Sequence, residues 1–199
     1  MFKVFLVSLF LCISSLTQAK SIVVLGDSIS AAYGFEVEQG WVALMQENIK
    51  SEYPDYTIYN ESISGDTSAG GLARLPLIIK KYKPNIIMLE LGANDGLRGM
   101  SLFAMKKNLS AIIEQSKKSG AQVLILSMRI PSNYGKRFTD MFYGSYQKLS
   151  TQHEVSVVPF ILENVALDKK FMQRDGLHPN ALAQPIISNH IYPYLIKLL

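Results

Sequence analysis

Cysteine is almost absent from this 199-residue sequence, which contains a single one, Cys12. A lone cysteine forms no disulfide within its chain, so the stability of the fold must come from packing. Charged residues are also scarce, at 18% of the chain against 48% hydrophobic residues, and this balance excludes an intrinsically disordered protein. The length predicts one domain with a core of its own.

No apolar run is long enough to span a membrane. The stretch at residues 4–13 is well short of the roughly 20 residues that a bilayer requires. It follows Lys3 and precedes a polar segment that ends near Thr17 and Ala19, which is the arrangement of a secretory signal peptide. We therefore predict that residues 1–19 are a cleaved signal peptide and that residues 20–199 form a periplasmic or secreted domain without a stable membrane segment.

Removal of this leader would also remove Cys12, which excludes a thiol nucleophile and a thiolate metal site. A concentrated basic patch is lacking too, since the formal net charge is only +4 and the paired lysines are spread along the chain. Nucleic-acid binding would need such a patch, so we expect no nucleic-acid partner. Without a disulfide or an exposed heptad pattern, a monomer is the default expectation.

Short apolar runs rich in β-branched residues alternate with longer segments of helical period, a pattern typical of an α/β fold with a parallel sheet flanked by helices. The predicted strands are residues 21–25, 56–61, 86–91, 122–127 and 155–158. The predicted helices are residues 41–51, 71–81, 101–119, 138–152 and 181–198; Pro76, Pro185 and Pro193 leave the ends of two of them open. Functional groups of such a sheet gather at the carboxyl ends of its strands, so important motifs should follow strands.

Small polar motifs follow the first three predicted strands. Gly26-Asp27-Ser28 follows the first, residues 62–67 with Gly65 follow the second, and residues 92–96 with Asn94 follow the third. A serine at a strand-to-helix turn is a possible nucleophile, and glycine N–H groups with an asparagine amide can face an oxyanion. Each motif alone could equally consist of ordinary turn residues, because Gly, Asn, Asp and Ser dominate turns.

A fourth motif, Asp175-Gly176-Leu177-His178, lies in the predicted loop before the last helix. A carboxylate three residues from a histidine can hold the imidazole in the tautomer that a general base needs. His153 and His190 have no such carboxylate, so we expect ordinary solvated side chains there. No pair of histidines has metal-ligand spacing, so no metal site is expected.

The four motifs together resemble the SGNH hydrolases, named for the Ser, Gly, Asn and His that match Ser28, Gly65, Asn94 and His178. The longer stretches 62–67, 71–76, 94–99 and 129–135 are similar to the periplasmic thioesterase I/lysophospholipase branch of that family. The resemblance covers nearly all of the predicted mature chain. It departs mildly at Ala93, where relatives often have Gly, and at Ile29, where the GDSL motif has Leu. The absence of Gly-x-Ser-x-Gly argues against the other common α/β serine hydrolase fold.

This resemblance implies a three-layer α/β/α sandwich with a central five-stranded parallel sheet of the flavodoxin-like type. It implies a serine hydrolase that cleaves small acyl esters and thioesters without a cofactor, with acyl-CoA thioesterase, lysophospholipase and arylesterase activity. The implied nucleophile is Ser28, the base is His178 and the residue that orients it is Asp175. The oxyanion would be held by the N–H groups of Ser28 and Gly65 and the side chain of Asn94, while Gly26 and Asp27 support the nucleophile turn.

Apolar residues after the third and fourth predicted strands are expected near this site, where they could bind an acyl chain. The candidates are Leu97, Met100, Ile130 and Tyr134, while Phe138 and Phe142 could equally be core residues. The same four motifs could serve a carbohydrate or peptidoglycan O-acetylesterase. A non-catalytic periplasmic binding protein with an inactive pocket is a further alternative, though every reacting group is present.

Overall fold

A computed structural model describes residues 19–199 of the chain. The predicted signal peptide, apart from Ala19, lies outside the described residues. Across these described residues, no helix combines the length and the apolar character that crossing a membrane requires.

Five parallel strands form the centre of the fold. They are β1 (Lys20–Gly26), β2 (Tyr56–Asn60), β3 (Ile86–Glu90), β4 (Gln122–Leu126) and β5 (Ser156–Val158). Their order in the sheet is β2-β1-β3-β4-β5, and every neighbouring pair is parallel. The predicted strands agree with these bounds to within one residue, so the α/β fold with a five-stranded parallel sheet is confirmed.

Helices connect the strands and cover the sheet. They are α1 (Trp41–Glu52), α2 (Ser68–Tyr82), α3 (Ala93–Leu97), α4 (Leu102–Lys118), α5 (Lys136–His153) and α6 (Gln184–Leu195). Helices α1 and α6 pack against each other, whereas α4 lies between α2 and α5. The central strands are buried between these two groups, which explains why β1 and β3 read as continuous apolar runs rather than alternating ones.

Several predicted helix ends are wrong for identifiable reasons. Helix α2 begins three residues before the predicted start because the Thr67 side chain accepts a hydrogen bond from the Gly70 N–H, an N-cap. The predicted helix at residues 181–198 is α6 with a 3₁₀ turn at each end. Pro185 lies in the first turn of α6, where its missing N–H costs no helix bond, but Pro76 lies inside α2.

The order of the strands creates one edge where ligands can approach. After β1 the chain moves outward to β2 and then returns to place β3 on the other side of β1. In open parallel sheets such a reversal leaves a crevice at the carboxyl ends of the two strands beside it. The segments that follow β1 and β3 therefore meet at this edge of the sheet.

One buried hydroxyl secures the end of β3. The Tyr146 side chain from α5 is 1% exposed, and its hydroxyl donates a 3.0 Å hydrogen bond to the Leu91 carbonyl. Its ring also meets Phe142 edge to face, with 5.5 Å between the ring centroids. This contact joins α5 to the point where β3 turns towards α3.

We expect Tyr146→Phe to lower the free energy of unfolding by about 1–3 kcal/mol, because the change leaves the buried Leu91 carbonyl without its donor. Tyr143→Phe on the same helix is the matched control, since Tyr143 is only half-buried. Urea denaturation followed by circular dichroism measures both variants. If the two variants were equally stable, the Tyr146–Leu91 hydrogen bond would not contribute to the stability of the fold.

Candidate active site

The turn after β1 exposes a serine hydroxyl at the crevice. Ser28 is only partly buried, whereas its neighbours Asp27 and Ile29 are buried. The Asp27 carboxylate accepts a 3.1 Å hydrogen bond from the Ile29 N–H, which closes the turn around Ser28. A Cβ at Gly26 would lie 2.8 Å from the buried Glu90 carboxyl, so a larger residue there would have to displace that side chain.

The histidine loop brings its imidazole to this serine. His178 Nε2 lies 2.9 Å from Ser28 Oγ, although the two residues are 150 positions apart in the chain. On the other side of the ring, His178 Nδ1 lies 2.7 Å from Asp175 Oδ2. If Asp175 accepts the proton of Nδ1, Nε2 carries the lone pair that faces the serine hydroxyl. The three side chains therefore form one chain of contacts.

Asp175 is held as an anion by its own loop. Burial raises its pKa, but hydrogen bonds from the backbone and ring of His178 and from the Leu177 N–H lower it more, and the net pKa is about 2. The backbone bonds are 2.9 Å from Leu177 and 3.0 Å from His178. Gly176, with φ of +68°, provides the left-handed residue that this tight loop requires. The carboxylate therefore stays ionised throughout the neutral pH range.

Two residues outside the predicted set fix the position of this loop. Gln173 donates 2.7 Å and 3.0 Å hydrogen bonds from its side-chain amide to the carbonyls of Tyr33 and Pro179. Its backbone N–H also donates to the His178 carbonyl at 2.8 Å. The Tyr33 ring lies against the imidazole, with 4.5 Å between centroids. Gln173 thus ties the histidine loop to the segment that follows the serine turn.

Gly65 and Asn94 reach the same crevice from β2 and β3. The Asn94 amide nitrogen lies 3.0 Å from Asp27 Oδ2 and 2.9 Å from the Asp66 carbonyl. Both of its hydrogens therefore have acceptors, and an incoming oxyanion must compete for one of them. Within residues 19–199, the backbone N–H groups of Ser28 and Gly65 have no such partner and can bind an acceptor directly.

Two arginines hold the Gly65 segment in place. Arg98 donates a 2.8 Å hydrogen bond to the Gly65 carbonyl. Arg74 donates to Asp66 at 2.8 Å and to the Gly26 carbonyl at 3.3 Å, and it also bonds the Glu61 carbonyl. Because Arg74 bonds both Gly26 and Glu61, it connects the carboxyl ends of β1 and β2. Gly65 has φ of +79°, a conformation that favours glycine.

The four predicted acyl-binding residues are not equivalent. Tyr134 and Leu97 lie together, because the Tyr134 hydroxyl donates a 2.8 Å bond to the Leu97 carbonyl. Met100 is 42% exposed, while Ile130 is 6% exposed and packs in the core. Phe142 is fully buried, so the structure supports a role in the core rather than in acyl binding.

A separate cavity of about 430 Å³ lies beside the histidine loop. Its lining is mostly apolar and includes Ile130, Leu162, Ala166, Met172 and Leu177. Gly176 and Leu177 both line it, so the cavity borders the loop that carries His178. The sequence alone points only to the segments after β3 and β4 as acyl-binding surfaces, whereas this cavity is also bounded by the segment after β5.

The other two histidines differ from expectation. His153 ends α5, and its Nε2 lies 2.7 Å from Ser110 Oγ. His190 lies within α6, and its Nε2 is buried. The expectation that both side chains are solvated is therefore wrong, because the His153 side chain is only 10% exposed and the His190 Nε2 is buried. In the described part of the chain, no cluster of His, Cys, Asp or Glu side chains could hold a metal ion.

A buried carboxyl beneath the serine turn also escaped the sequence analysis. Glu90 ends β3 with no exposed surface, and its Oε2 accepts hydrogen bonds from the Asp27 N–H and the Ser30 hydroxyl. A signal was available, since Glu90 is the one charged residue in the apolar run of residues 86–91. No comparable pattern marks Gln173, whose partners lie far away in the sequence.

Comparison with known proteins gives consistent matches. A sequence model of the GDSL-like lipase/acylhydrolase family matches residues 24–184. An arylesterase from Vibrio mimicus is 44% identical over 190 residues, which cover 95% of each chain. Thioesterase 1/protease 1/lysophospholipase L1 from Escherichia coli K12 is 40% identical over 171 residues, 86% of this chain and 81% of that protein. The crystal structure of TesA aligns with a TM-score of 0.88 at 45% identity, covering 90% of this chain and 100% of that chain.

We expect Gln173→Leu to slow the reaction of Ser28 with a fluorophosphonate by about tenfold or more, because displacing a reacting group by about 1 Å can cost on the order of 100-fold. The variant loses the bonds to Tyr33 and Pro179. Gln115→Leu on the exposed face of α4 is the matched control. If Gln173→Leu and Gln115→Leu were both labelled as fast as wild type, this positioning effect would be refuted.

Proposed function

Because the chain belongs to the GDSL-like lipase/acylhydrolase family, we propose that it hydrolyses carboxylic esters and thioesters through an acyl-Ser28 intermediate. The observation that carries this proposal is the 2.9 Å contact between Ser28 Oγ and His178 Nε2 at the crevice of the sheet. A serine hydroxyl becomes a useful nucleophile when a neighbouring base removes its proton.

The first half of the reaction transfers the acyl group to the enzyme. Ser28 Oγ attacks the carbonyl carbon while its proton moves to His178 Nε2. The resulting imidazolium is stabilised by Asp175, which holds Nδ1 at 2.7 Å. His178 then returns the proton to the oxygen or sulfur of the leaving group, and the bond to that atom breaks. The alcohol or thiol departs and leaves an ester on Ser28.

The second half releases the acid. A water molecule attacks the acyl-enzyme carbonyl and gives a proton to His178 Nε2. The tetrahedral intermediate collapses, the Ser28 oxygen leaves, and His178 supplies its proton to that oxygen. No cofactor takes part, since protons and acyl group pass only among Ser28, His178, substrate and water.

In both halves a negative charge develops on the former carbonyl oxygen. The Ser28 and Gly65 N–H groups and the Asn94 amide are the proposed donors to it. Asn94 differs from the other two, since Asp27 and the Asp66 carbonyl already accept its hydrogens. We propose that the oxyanion takes a share of one of these hydrogens and that the Asp27 bond keeps the amide in position.

The names of the relatives and the apolar surfaces around the histidine loop and α3 support a substrate class. One relative is named an arylesterase and another a thioesterase and lysophospholipase. The exposed Met100 side chain after α3 and the cavity of about 430 Å³ beside the histidine loop could each accept an acyl chain. We propose that small-molecule acyl esters and thioesters with chains longer than acetyl are the substrates.

We further propose that residues 1–19 are removed on export and that residues 20–199 act as a monomeric SGNH hydrolase domain in the periplasm or outside the cell. The proposal rests on the signal-like pattern of residues 1–19 and on the family match, which begins at residue 24. The modest net charge supports small-molecule substrates rather than a nucleic-acid partner.

A chain-length series tests the proposed activity. Residues 20–199 are assayed on p-nitrophenyl esters and acyl-CoA thioesters from acetyl to long chains, with Ser28→Ala as the control. We expect long-chain esters and thioesters to be cleaved and Ser28→Ala to be inactive, because the variant cannot form the acyl-enzyme. Cleavage of acetyl esters alone would instead indicate a deacetylase, and full activity of Ser28→Ala would overturn the mechanism.

We expect Asn94→Ala to lower kcat by on the order of 10²–10³, the usual cost of removing one oxyanion donor. KM should change little if the bond forms mainly in the transition state. Asn48→Ala on the exposed face of α1 is the matched control, and thermal unfolding confirms that both variants fold. Wild-type kcat in a folded Asn94→Ala protein would exclude Asn94 as an oxyanion donor.

A further inference from the structure

A carboxyl group with no exposed surface lies directly beneath the serine turn. Glu90 is the last residue of β3, and its side chain occupies the space above Gly26 that a Cβ would otherwise fill. Burying an ionised carboxylate is costly unless hydrogen bonds or a counter-charge compensate for the lost water. The contacts of Glu90 therefore indicate which protonation state the site favours.

One oxygen of Glu90 binds both sides of the proposed nucleophile. Oε2 accepts a 3.2 Å hydrogen bond from the Asp27 N–H and a 2.8 Å bond from the Ser30 hydroxyl. Ser28 lies between these two residues in the chain. A single carboxyl oxygen thus fixes the turn on either side of the reactive hydroxyl. It does so from the last residue of β3, four residues before Asn94.

The two oxygens of Glu90 are unequal. Oε1 is buried and has no hydrogen-bond partner among the described residues. Asp27, by contrast, has a donor on each oxygen, the Ile29 N–H on Oδ1 and the Asn94 amide on Oδ2. A negative charge is therefore better satisfied on Asp27 than on Glu90, and a proton on Glu90 removes a buried charge that has no partner on Oε1 within the described chain.

We propose that Glu90 is a positioning residue that stays protonated, fixes the Ser28 turn through Oε2 and leaves the negative charge on Asp27. That charge in turn orients the Asn94 amide through the 3.0 Å bond. The inference rests on the proposed function, because it assigns Glu90 to the support of Ser28 and Asn94 in acyl transfer.

The electrostatics of the pair agree with this assignment. Burial and the nearby Asp27 charge raise the pKa of Glu90 well above its usual range. Burial raises the pKa of Asp27 to about 6, and hydrogen bonds from the Ile29 N–H and the Asn94 amide together with the charge of His178 limit that increase.

Titratable groups from several elements of the fold belong to the electrostatic environment of Glu90. Asp27 follows β1, Asp95 lies in α3 and Tyr146 belongs to α5. The charge of His178 lowers the pKa of Asp27, the carboxyl that neighbours Glu90. Because its pKa is higher in the folded protein than in the unfolded chain, Glu90 lowers the free energy of unfolding as the pH rises above about 4.3. A variant without this carboxyl should lack that part of the pH dependence.

The test compares Glu90→Gln with Glu90→Met. Glutamine is uncharged and offers both an acceptor and a donor, so we expect its kcat to stay within about threefold of wild type. Methionine has a similar length but no such groups, so we expect kcat to fall by about tenfold or more with little change in KM. A large loss of kcat in Glu90→Gln would show that the ionised form is required and would overturn the proposal.

Infrared difference spectroscopy at neutral pH tests the protonation state even if Glu90→Met fails to fold. The band of a protonated carboxyl should be present in wild type, present in the control Glu114→Gln and absent from Glu90→Gln. Glu114 is suitable because its side chain is 64% exposed on α4. Unfolding free energies from pH 4 to 7 should depend less on pH in Glu90→Gln than in Glu114→Gln, and identical pH dependences would contradict a neutral Glu90.

A double-mutant cycle with Ser30→Ala tests the contact itself. If Oε2 acts through the Ser30 hydroxyl, the double variant should lose less kcat than the product of the two fold-losses measured for Ser30→Ala and Glu90→Met separately. Independent effects would count against the positioning role. A wild-type enzyme that does not react with a fluorophosphonate would refute the proposed function, whereas a reactive wild type with unaffected Glu90 variants would refute only this inference.

Discussion

The bond between the buried Asp27 carboxylate and the Asn94 amide joins the segments after β1 and β3, at the point where the order of the strands reverses. Asp27 Oδ2 lies 3.0 Å from the Asn94 nitrogen, and Oδ1 closes the turn around Ser28 through the Ile29 N–H. One side chain therefore sets both the direction of the serine hydroxyl and the orientation of the amide. The parallel sheet places these two loops side by side, and Asp27 fixes their relative position.

The remaining loops are attached to this pair by long-range polar contacts. Arg74 and Arg98 hold the Gly65 segment, and Gln173 holds the histidine loop against the segment after Ser28. Among residues 19–199, none of these three side chains forms a hydrogen bond with the side chain of Ser28 or His178. They restrict the loops that carry the proposed reacting groups, so these groups keep their geometry without a disulfide.

Much of the architecture was predictable because local signals and the global fold agree. Apolar runs marked all five strands to within one residue, and the motifs with Ser28, Asn94 and His178 lie after β1, after β3 and before α6. The short helix α3 was not predictable, since Ala93–Leu97 contains Gly, Asn and Asp, residues that favour turns. Its formation depends on tertiary contacts such as those of Asp95, which accepts bonds from the Ser68 N–H and hydroxyl.

The sequence by itself determined the fold class, the family resemblance and the residue types that could carry acyl transfer, because periodicity and motif spacing are local properties. Only the tertiary structure decided that His178 meets Ser28 across 150 residues, that Gln173 holds its loop, and that an apolar cavity borders Leu177. It also placed Glu90 beneath the serine turn. A hydrogen bond depends on distances of a few tenths of an ångström, and those are set by packing between segments that the sequence keeps far apart.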